Sequence, residues 1–262
     1  MPKSAKLGQN FLHDRNIAKK IIAEFLPQAG PVLEIGSGPG ILSALLLENI
    51  PAARVTLVEI DRFLAQQLRQ RFGAGPRIIE EDILTIDLAS LYPQERVAVI
   101  GNLPYHISKP LIDWLIAQRD RIGAAVLMLQ KDFVDKLLSV ENSKKYNAQS
   151  VLFQLLFRTR RCFHVPAGAF TPAPSIMSTV IAVQPADFSL AAGAGEFYAF
   201  VKMCFAERRK TLWNNLAPHA DKNALAAAFA ACGLPATARA EQLAPDRFLA
   251  LWQTAGPAQG KK

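Results

Sequence analysis

Hydrophobic and polar positions follow two different patterns along the chain. Between Pro31 and Gln130, short runs rich in Val, Ile and Leu alternate with longer segments whose apolar residues recur at helical spacing. The predicted strands are 31–36, 54–61, 77–82, 97–102 and 124–130, and the predicted helices between them are 42–47, 63–72 and 110–119. Because strands that alternate with helices form βαβ units, we predict an α/β fold with a mostly parallel, doubly wound sheet.

The pattern changes in the second half of the chain. Cys162–Pro166 and Ile176–Val183 are strand-like runs without a helix of crossover length between them, so they are predicted to pair as an antiparallel hairpin at the sheet edge. After Pro185 only helical patterns follow, at 196–216, 222–232 and 245–254. We therefore predict a catalytic α/β domain over residues 1–185 and a small all-helical domain over residues 186–262.

Composition and charge restrict the class of protein. Half of the 262 residues are hydrophobic and a fifth are charged, which is typical of a globular chain and not of a disordered one. The three cysteines lie far apart, which argues against a structural zinc site and fits a reducing compartment. No apolar stretch approaches the ~20 residues of a membrane span. We expect a soluble, cytoplasmic, monomeric protein without a metal, and the formal charge of +8 suggests a polyanionic partner without identifying it.

A glycine-rich loop follows the first predicted strand. Its sequence is Glu34-Ile-Gly36-Ser-Gly38-Pro-Gly40, where glycines allow a sharp turn and the close approach of a ligand. The G-x-G-x-G spacing differs from the G-x-G-x-x-G of dinucleotide-binding proteins. Taken alone, the loop fits an ordinary structural turn equally well.

Acidic residues follow the next two strands and narrow the choice of ligand. Glu59, with Asp61 behind it, is placed to bind ribose hydroxyls, and Asp82 is placed to accept from an adenine amino group. Acidic side chains suit a nucleoside without phosphates whose other groups are cationic. These features together predict S-adenosylmethionine as cofactor, although acids at strand ends also serve as helix caps.

The fourth strand ends in Asn102-Leu103-Pro104-Tyr105, which is similar to the [Asn/Asp]-Pro-Pro-[Tyr/Phe] motif of enzymes that methylate exocyclic amines. Adenine N6 is a poor nucleophile because its lone pair is delocalised into the ring. The Asn102 side-chain oxygen and the carbonyl of Leu103 or Pro104 can accept the N6 hydrogens and direct the lone pair at the methyl group. Tyr105 can stack on the extruded base, and Phe170 is a candidate for its second face. In isolation the tetrapeptide would be an ordinary turn.

Together these motifs resemble the ribosomal RNA adenine dimethyltransferase family, and within it the bacterial enzymes that act near the 3′ end of 16S rRNA. The resemblance covers nearly the whole chain. The matching segments are Leu7–Leu12, the glycine loop, Val58–Asp61, Asn102–Tyr105, Phe170–Pro174 and Arg208–Leu212 with Asn215.

The resemblance implies a Rossmann-like class I S-adenosylmethionine-dependent methyltransferase. It also implies the activity, which is dimethylation of N6 of two adjacent adenosines within the small ribosomal subunit, a late assembly step. The positions that it carries over or that the motifs indicate for cofactor binding are Gln9, Asn10, Leu12, Glu34, Gly36, Gly38, Glu59, Ile60, Asp82, Ile83 and Asn102.

Three segments differ from the usual family sequence. They are Asp132–Lys136, Tyr146–Ser150 and the run Pro174–Ser178, which lacks the usual lysine. We predict that all three lie on the substrate side, so the resemblance supports cofactor binding more strongly than target choice.

Two compact basic clusters are candidates for contacts with the RNA backbone. Such contacts position a protein on nucleic acid without specifying sequence, and a solvated basic face is the alternative for each cluster. Their members are Arg158, Arg160, Arg161, Arg208, Arg209 and Lys210.

Three rival functions remain at this point. A large-subunit (23S) rRNA adenine methyltransferase of the macrolide-resistance type more often has Ser-Gln-Asn-Phe and Asn-Ile-Pro, so Gly8 and Leu103 argue against it. A DNA adenine methyltransferase normally carries a larger recognition region than residues 186–262. A non-catalytic RNA-binding assembly factor on the same fold is disfavoured by the intact Asn102–Tyr105 motif.

Overall fold

The computed structural model describes residues 10–25, 30–187 and 194–255. Within these ranges the strands are β1 Phe11–Leu12, β2 Val32–Ile35, β3 Val55–Glu59, β4 Arg77–Glu80, β5 Val97–Asn102, β6 Ile122–Gln130, β7 Phe157–Val165, β8 Phe170–Thr171 and β9 Ser178–Pro185. The helices are α1 Arg15–Phe25, α2 Ile41–Asn49, α3 Arg62–Phe72, α4 Leu88–Leu91, α5 Ser108–Ala117, α6 Lys131–Leu137, α7 Ala148–Leu156, α8 Ala194–Cys204, α9 Leu212–Leu216, α10 Lys222–Ala231 and α11 Pro245–Ala255. Among the described residues, none of these helices is long and apolar enough to cross a bilayer.

A seven-stranded sheet, in the order β4-β3-β2-β5-β6-β9-β7, forms the centre of the α/β unit. Strands β2 to β6 are parallel to one another, while β9 is antiparallel to both β6 and β7. The predicted doubly wound sheet and the antiparallel pair at its edge are therefore confirmed. β1 and β8, which the sequence analysis did not predict, form a separate antiparallel pair.

The strands at the centre of the sheet are apolar because helices cover both faces. β2 and β3 are buried along their whole length, and so is β5 up to its last residue. At Gly101 a Cβ would lie 2.8 Å from the main-chain oxygen of Ile35, so only glycine allows β5 to approach β2 this closely. This contact brings the ends of the two strands together at one edge of the sheet.

The long helix predicted over 196–216 is interrupted. Helix α8 ends at Cys204 and α9 begins at Leu212. The Asn215 side-chain amide donates to the Cys204 carbonyl at 2.8 Å, and the Thr211 hydroxyl caps α9 by accepting the Asn214 N–H at 3.2 Å. These side-chain bonds replace the helical hydrogen bonds of the intervening turn.

The described residues group into two compact units. One contains those up to Val134 together with Phe157–Pro185, and the other contains Asp135–Leu156 together with those from Ala186 onward. The predicted boundary at 185 coincides with one of these divisions. Residues 135–156, which we expected in the α/β domain, instead group with the helical unit.

Tyr146 explains that grouping. Its ring is fully buried and its hydroxyl donates to the Leu243 carbonyl at 2.9 Å. Ser150 is also buried, and its hydroxyl donates to the Lys136 carbonyl at 2.6 Å. Both residues thus contribute to the packing of the helical unit.

Candidate cofactor and catalytic site

A cavity of about 140 Å³, open to solvent, lies at the carboxyl ends of β2, β3, β4 and β5. Ligands bind at this edge in parallel α/β sheets because loops and helix starts converge there. The described lining residues include three carboxylates and no lysine or arginine. They are Asn10, Phe11, Ile35, Gly36, Gly38, Val58, Glu59, Ile60, Glu81, Asp82, Ile83, Asn102, Pro104, His106 and Ile107.

The glycine loop forms one wall of this cavity. Gly36, Gly38 and Gly40 have φ values of 65°, 54° and 82°, a region that L side chains rarely adopt. A Cβ at Gly38 would lie 3.3 Å from the Phe11 ring. The loop therefore requires glycine both for its backbone conformation and for the space in front of it.

Glu59 connects the glycine loop to the start of α3. Its Oε2 accepts the Gly38 N–H at 2.8 Å and its Oε1 accepts the Asp61 N–H at 2.9 Å. The side chain is 2% exposed. Burial raises the pKa of Glu59 above its ordinary value, and the bonds from Asp61 and Gly38 oppose that shift. Asp61 itself caps α3 by accepting the N–H groups of Phe63 and Leu64.

Asp82 follows β4 and is held in place by the short 3₁₀ turn that it caps. Its Oδ1 accepts the Leu84 N–H at 3.0 Å, and both Asp82 and Ile83 line the cavity. Ile60, on the neighbouring strand end, is 53% exposed beside it. An exposed apolar side chain next to a fixed carboxylate is suited to the face and the amino edge of a nucleobase.

Glu34 lies in β2, is 1% exposed and is not among the residues that line the cavity. Its Oε2 and the buried hydroxyl of Ser37 have no hydrogen-bond partner among the described residues. Burial raises the pKa of Glu34 to about 8, despite a contact with Ser43 that lowers it, and the nearby Glu59 raises it further.

Replacing Glu34 with glutamine is expected to remove a pH dependence of stability. The ordinary pKa of 4.5 rises to about 8 in the fold, so the folded state holds a proton that the unfolded chain releases between these values. This contribution to stability is complete below about pH 4.5 and is lost as the pH rises through about 8. Relative to the variant, the wild-type protein without cofactor should lose up to roughly 4 kcal/mol of unfolding free energy between pH 5 and 8.

Urea unfolding of both proteins across this range measures the difference. Glu48→Gln, a change at an exposed acid paired with Arg15, provides the control. Parallel pH curves for wild type and Glu34→Gln would contradict the buried, protonated carboxyl.

Asn102 is the last residue of β5, and its side chain lies in the cavity lining. Its Nδ2 donates to the main-chain oxygen of Asn10 at 3.2 Å. Leu103 is 2% exposed, so its side chain anchors the loop in the core. The Pro104 carbonyl accepts the Ile107 N–H at 3.2 Å, and Tyr105 begins the short 3₁₀ turn that ends at Ile107.

Several predicted site residues lie elsewhere. Leu12 and Phe170 are 4% and 3% exposed and pack in the hydrophobic core, because the β1–β8 pairing turns both side chains inward. The prediction of an open stacking face at Phe170 is therefore not met in this structure. Gln9 lies outside the described residues.

Some lining residues were missed by the sequence analysis. Strand alternation could have identified Phe11, because its neighbour Leu12 points into the core and successive side chains of a strand point to opposite faces. Ile35 and Val58 lie within the motif segments but were not singled out as site residues. The other lining residues that were not predicted are Glu81, His106 and Ile107.

The basic clusters are exposed, but ion pairs within the fold engage several members. Arg160, on β7, pairs with Glu24 at 2.6 Å. Arg208 pairs with Glu241 at 2.7 Å and also donates to the Ser143 carbonyl at 3.1 Å. Lys210 pairs with Glu207 at 2.6 Å. Arg208 thus holds a loop of its own unit in addition to any contact with RNA.

Residues 2–255 match the sequence profile of the family described as ribosomal RNA adenine dimethylase. Among the described residues, no three His, Cys, Asp or Glu side chains come together as a metal-binding group.

Curated relatives share more than a third of the sequence over almost the whole chain. A protein of Geobacter metallireducens named ribosomal RNA small subunit methyltransferase A is 40% identical, over 94% of this chain and 92% of its own length. Its namesake from Acidobacterium capsulatum is 37% identical, over 95% and 90% respectively.

Solved structures extend the similarity to the fold. A 23S rRNA methyltransferase, ErmE, superposes with a TM-score of 0.69 at 26% identity, over 94% of this chain and 99% of its own. A dimethyladenosine transferase from Plasmodium falciparum has the same fold, with a TM-score of 0.76 at 24% identity over 93% and 96% of the two chains. The chain therefore belongs to the ribosomal RNA adenine dimethylase family and has the Rossmann-like α/β fold of class I methyltransferases.

Proposed function

We propose that this protein uses S-adenosylmethionine to dimethylate N6 of two adjacent adenosines near the 3′ end of 16S rRNA. It acts as a cytoplasmic monomer on the small ribosomal subunit, late in assembly. The observation that carries the proposal is the presence of Asn102, an amine-directing amide, in the same cavity as Glu59 and Asp82. The names of the curated relatives support the small subunit as the target.

The residues of the cavity fit this cofactor. Glu59 is placed for ribose hydroxyls, Asp82 for the adenine amino group, and the exposed Ile60 for the adenine face. Gly36 and Gly38, which line the cavity and have no side chain, let the amino-acid end approach the main chain closely. S-adenosylmethionine, when bound, supplies an electrophilic methyl group on a sulfonium, and the carboxylates of the lining favour its positive charges.

Asn102 and the adjoining main chain would orient the adenine amine. The side-chain oxygen of Asn102 accepts one N6 hydrogen, and a main-chain carbonyl accepts the other. The carbonyl of Leu103 is the better second acceptor, because that of Pro104 already accepts the Ile107 N–H. These bonds favour a pyramidal nitrogen whose lone pair faces the methyl group, and positioning of this kind requires no strong general base.

Stacking and charge would hold the RNA. Tyr105 supplies an aromatic face for the extruded base, worth ~1–3 kcal/mol in single-strand binding. The exposed arginines of β7 and the basic residues between α8 and α9 contact phosphates, which makes binding salt-dependent without specifying sequence.

A single labelling experiment tests this function against its rivals. Purified protein is incubated with methyl-labelled S-adenosylmethionine and, separately, unmethylated small subunits, large-subunit rRNA and duplex DNA. Label is expected in small subunits alone, and digestion of the RNA to nucleosides should yield N6,N6-dimethyladenosine.

The other outcomes overturn the proposal in different ways. Label in large-subunit rRNA alone would assign the activity of the macrolide-resistance type, and label in DNA alone would assign a DNA methyltransferase. No label in any substrate, with subunit binding retained, would favour a non-catalytic assembly factor.

A further inference from the structure

The side chain of Asn102 and the main chain of Asn10, 92 residues apart in sequence, share a hydrogen bond of 3.2 Å. We infer that the Asn10 carbonyl is a positioning group that turns the Asn102 amide so that its nitrogen faces β1 and its oxygen faces the substrate. The substrate in this inference, an adenine amine, rests on the proposed function. The hydrogen bond between Asn102 and Asn10 does not depend on it. It implies that residue 102 must donate to the protein and accept from the amine at the same time.

The Asn10 carbonyl can act in this way because the segment that follows it is anchored. Phe11 pairs with Thr171 and Leu12 pairs with Phe170. The next residue continues the pairing, since the His13 N–H donates to the Ala169 carbonyl at 3.0 Å. With the Leu12 and Phe170 side chains buried in the core, this segment has little freedom to move.

Asn102 is anchored from the other side. It ends β5, where it lies opposite Met128 in the parallel pairing with β6, and the following Leu103 N–H donates to the Met128 carbonyl at 3.2 Å. Two fixed main-chain segments therefore determine which end of the amide faces the cavity. The reverse orientation would set the amide oxygen against the Asn10 oxygen, two acceptors without a hydrogen between them.

This geometry discriminates between amide and carboxylate at residue 102. A carboxylate is a stronger acceptor for the amine hydrogens, but it has no hydrogen for Asn10 and places a negative charge against that carbonyl. A protonated carboxyl group satisfies both requirements, because its hydroxyl donates to Asn10 while its carbonyl oxygen accepts from the amine. Because residue 102 must donate to Asn10, we predict that the variant Asn102→Asp becomes more active at low pH, where its carboxyl group is protonated.

The first test is the pH profile of Asn102→Asp in the small-subunit methylation assay. Relative to wild type, kcat of the variant should be lower by about 10²-fold at pH 8, and the ratio of variant to wild type should rise as the pH falls and the new carboxyl becomes protonated. The titratable groups around the cavity are the same in both proteins, so the ratio of variant to wild type reports the new carboxyl. They are Glu34, Glu59, Glu81, Asp82 and His106. Asn49→Asp, the same change at an exposed position of α2, should keep the wild-type profile.

An Asn102→Asp variant as active as wild type at pH 8 would overturn the inference, as would a ratio that does not rise with falling pH. If wild type methylates subunits in that experiment, the proposed function stands while the positioning role fails. Thermal unfolding of the variant shows whether a low rate reflects loss of the fold.

The second test does not depend on methyl transfer or on a folded variant. In ¹⁵N-labelled wild-type protein, a side-chain proton of Asn102 should exchange with solvent more slowly than those of exposed asparagines. Asn215, whose amide donates to the carbonyls of Cys204 and Glu207, provides the reference for a bonded amide. Exchange at the rate of an exposed amide would refute the positioning bond, whereas protection in a protein that methylates no RNA would support the bond and refute the proposed function.

Discussion

Replacing Asn102 with alanine is expected to lower the rate of methyl transfer to small subunits by about 10²–10³-fold, the loss typical of one preorganised electrostatic contact. The variant loses the acceptor for the amine hydrogen as well as the bond to Asn10. Binding to the subunit should stay within about threefold of wild type, because the contacts with the RNA backbone lie elsewhere. Single-turnover rates and filter binding measure the two quantities separately.

Asn49→Ala is the matched control, since it removes an amide from an exposed position of α2. It should leave both rate and binding near wild type. A loss of subunit binding as large as the loss of rate would show that Asn102 contributes to docking and does not act in the chemical step.

Replacing Glu59 with glutamine is expected to raise the Kd for S-adenosylmethionine about 10–100-fold, since a hydrogen bond to a charged group contributes roughly 1.5–3 kcal/mol. Each carboxylate oxygen accepts a main-chain N–H, from Gly38 at 2.8 Å and from Asp61 at 2.9 Å. A glutamine has one acceptor, so its NH₂ group would face one of these N–H groups. The glycine loop and the start of α3 can then no longer be held by the same side chain.

Isothermal titration with S-adenosylmethionine tests this effect. Glu81→Gln is the control, because Glu81 lines the same cavity but is exposed and bonded to the Thr85 hydroxyl. Its Kd should change by less than about threefold, in keeping with the small energies of exposed charges. Equal effects of the two substitutions would show that Glu59 acts only through the overall charge of the cavity.

The local sequence was sufficient to predict those strands and helices whose hydrophobic pattern is unambiguous. The five parallel strands were recognised because apolar runs such as 97–102 must be buried on both faces of the sheet. The interruption at 205–211 could not be predicted, because it depends on the Asn215 amide reaching the Cys204 carbonyl across the turn. Likewise, Tyr146 groups with the helical unit through a hydroxyl bond to Leu243, a contact across 97 residues.

The candidate site residues also fall into two groups, those that the local sequence predicts and those whose role depends on the tertiary structure. Glu59, Asp82 and Asn102 were predictable because the carboxyl ends of parallel strands meet at one edge, so their position in the strand determines their position in space. Phe170 was not, since aromatic residues serve equally in a core or in a stacking face until the pairing of β8 with β1 is known. Arg208 was predicted from its charge as an RNA contact, and the fold adds an ion pair with Glu241 that the local sequence did not indicate.

The motifs and their order along the chain were enough to establish the family and the chemistry, because a glycine loop, acidic strand ends and an amine-directing loop are local in sequence. The roles of individual atoms required the folded structure. Which oxygen of Glu59 holds which N–H, whether Glu34 is charged, and which end of the Asn102 amide faces the substrate all depend on burial and on partners distant in sequence. Hydrogen bonding and desolvation act over a few ångströms of space, so only the tertiary structure brings these groups within range of one another.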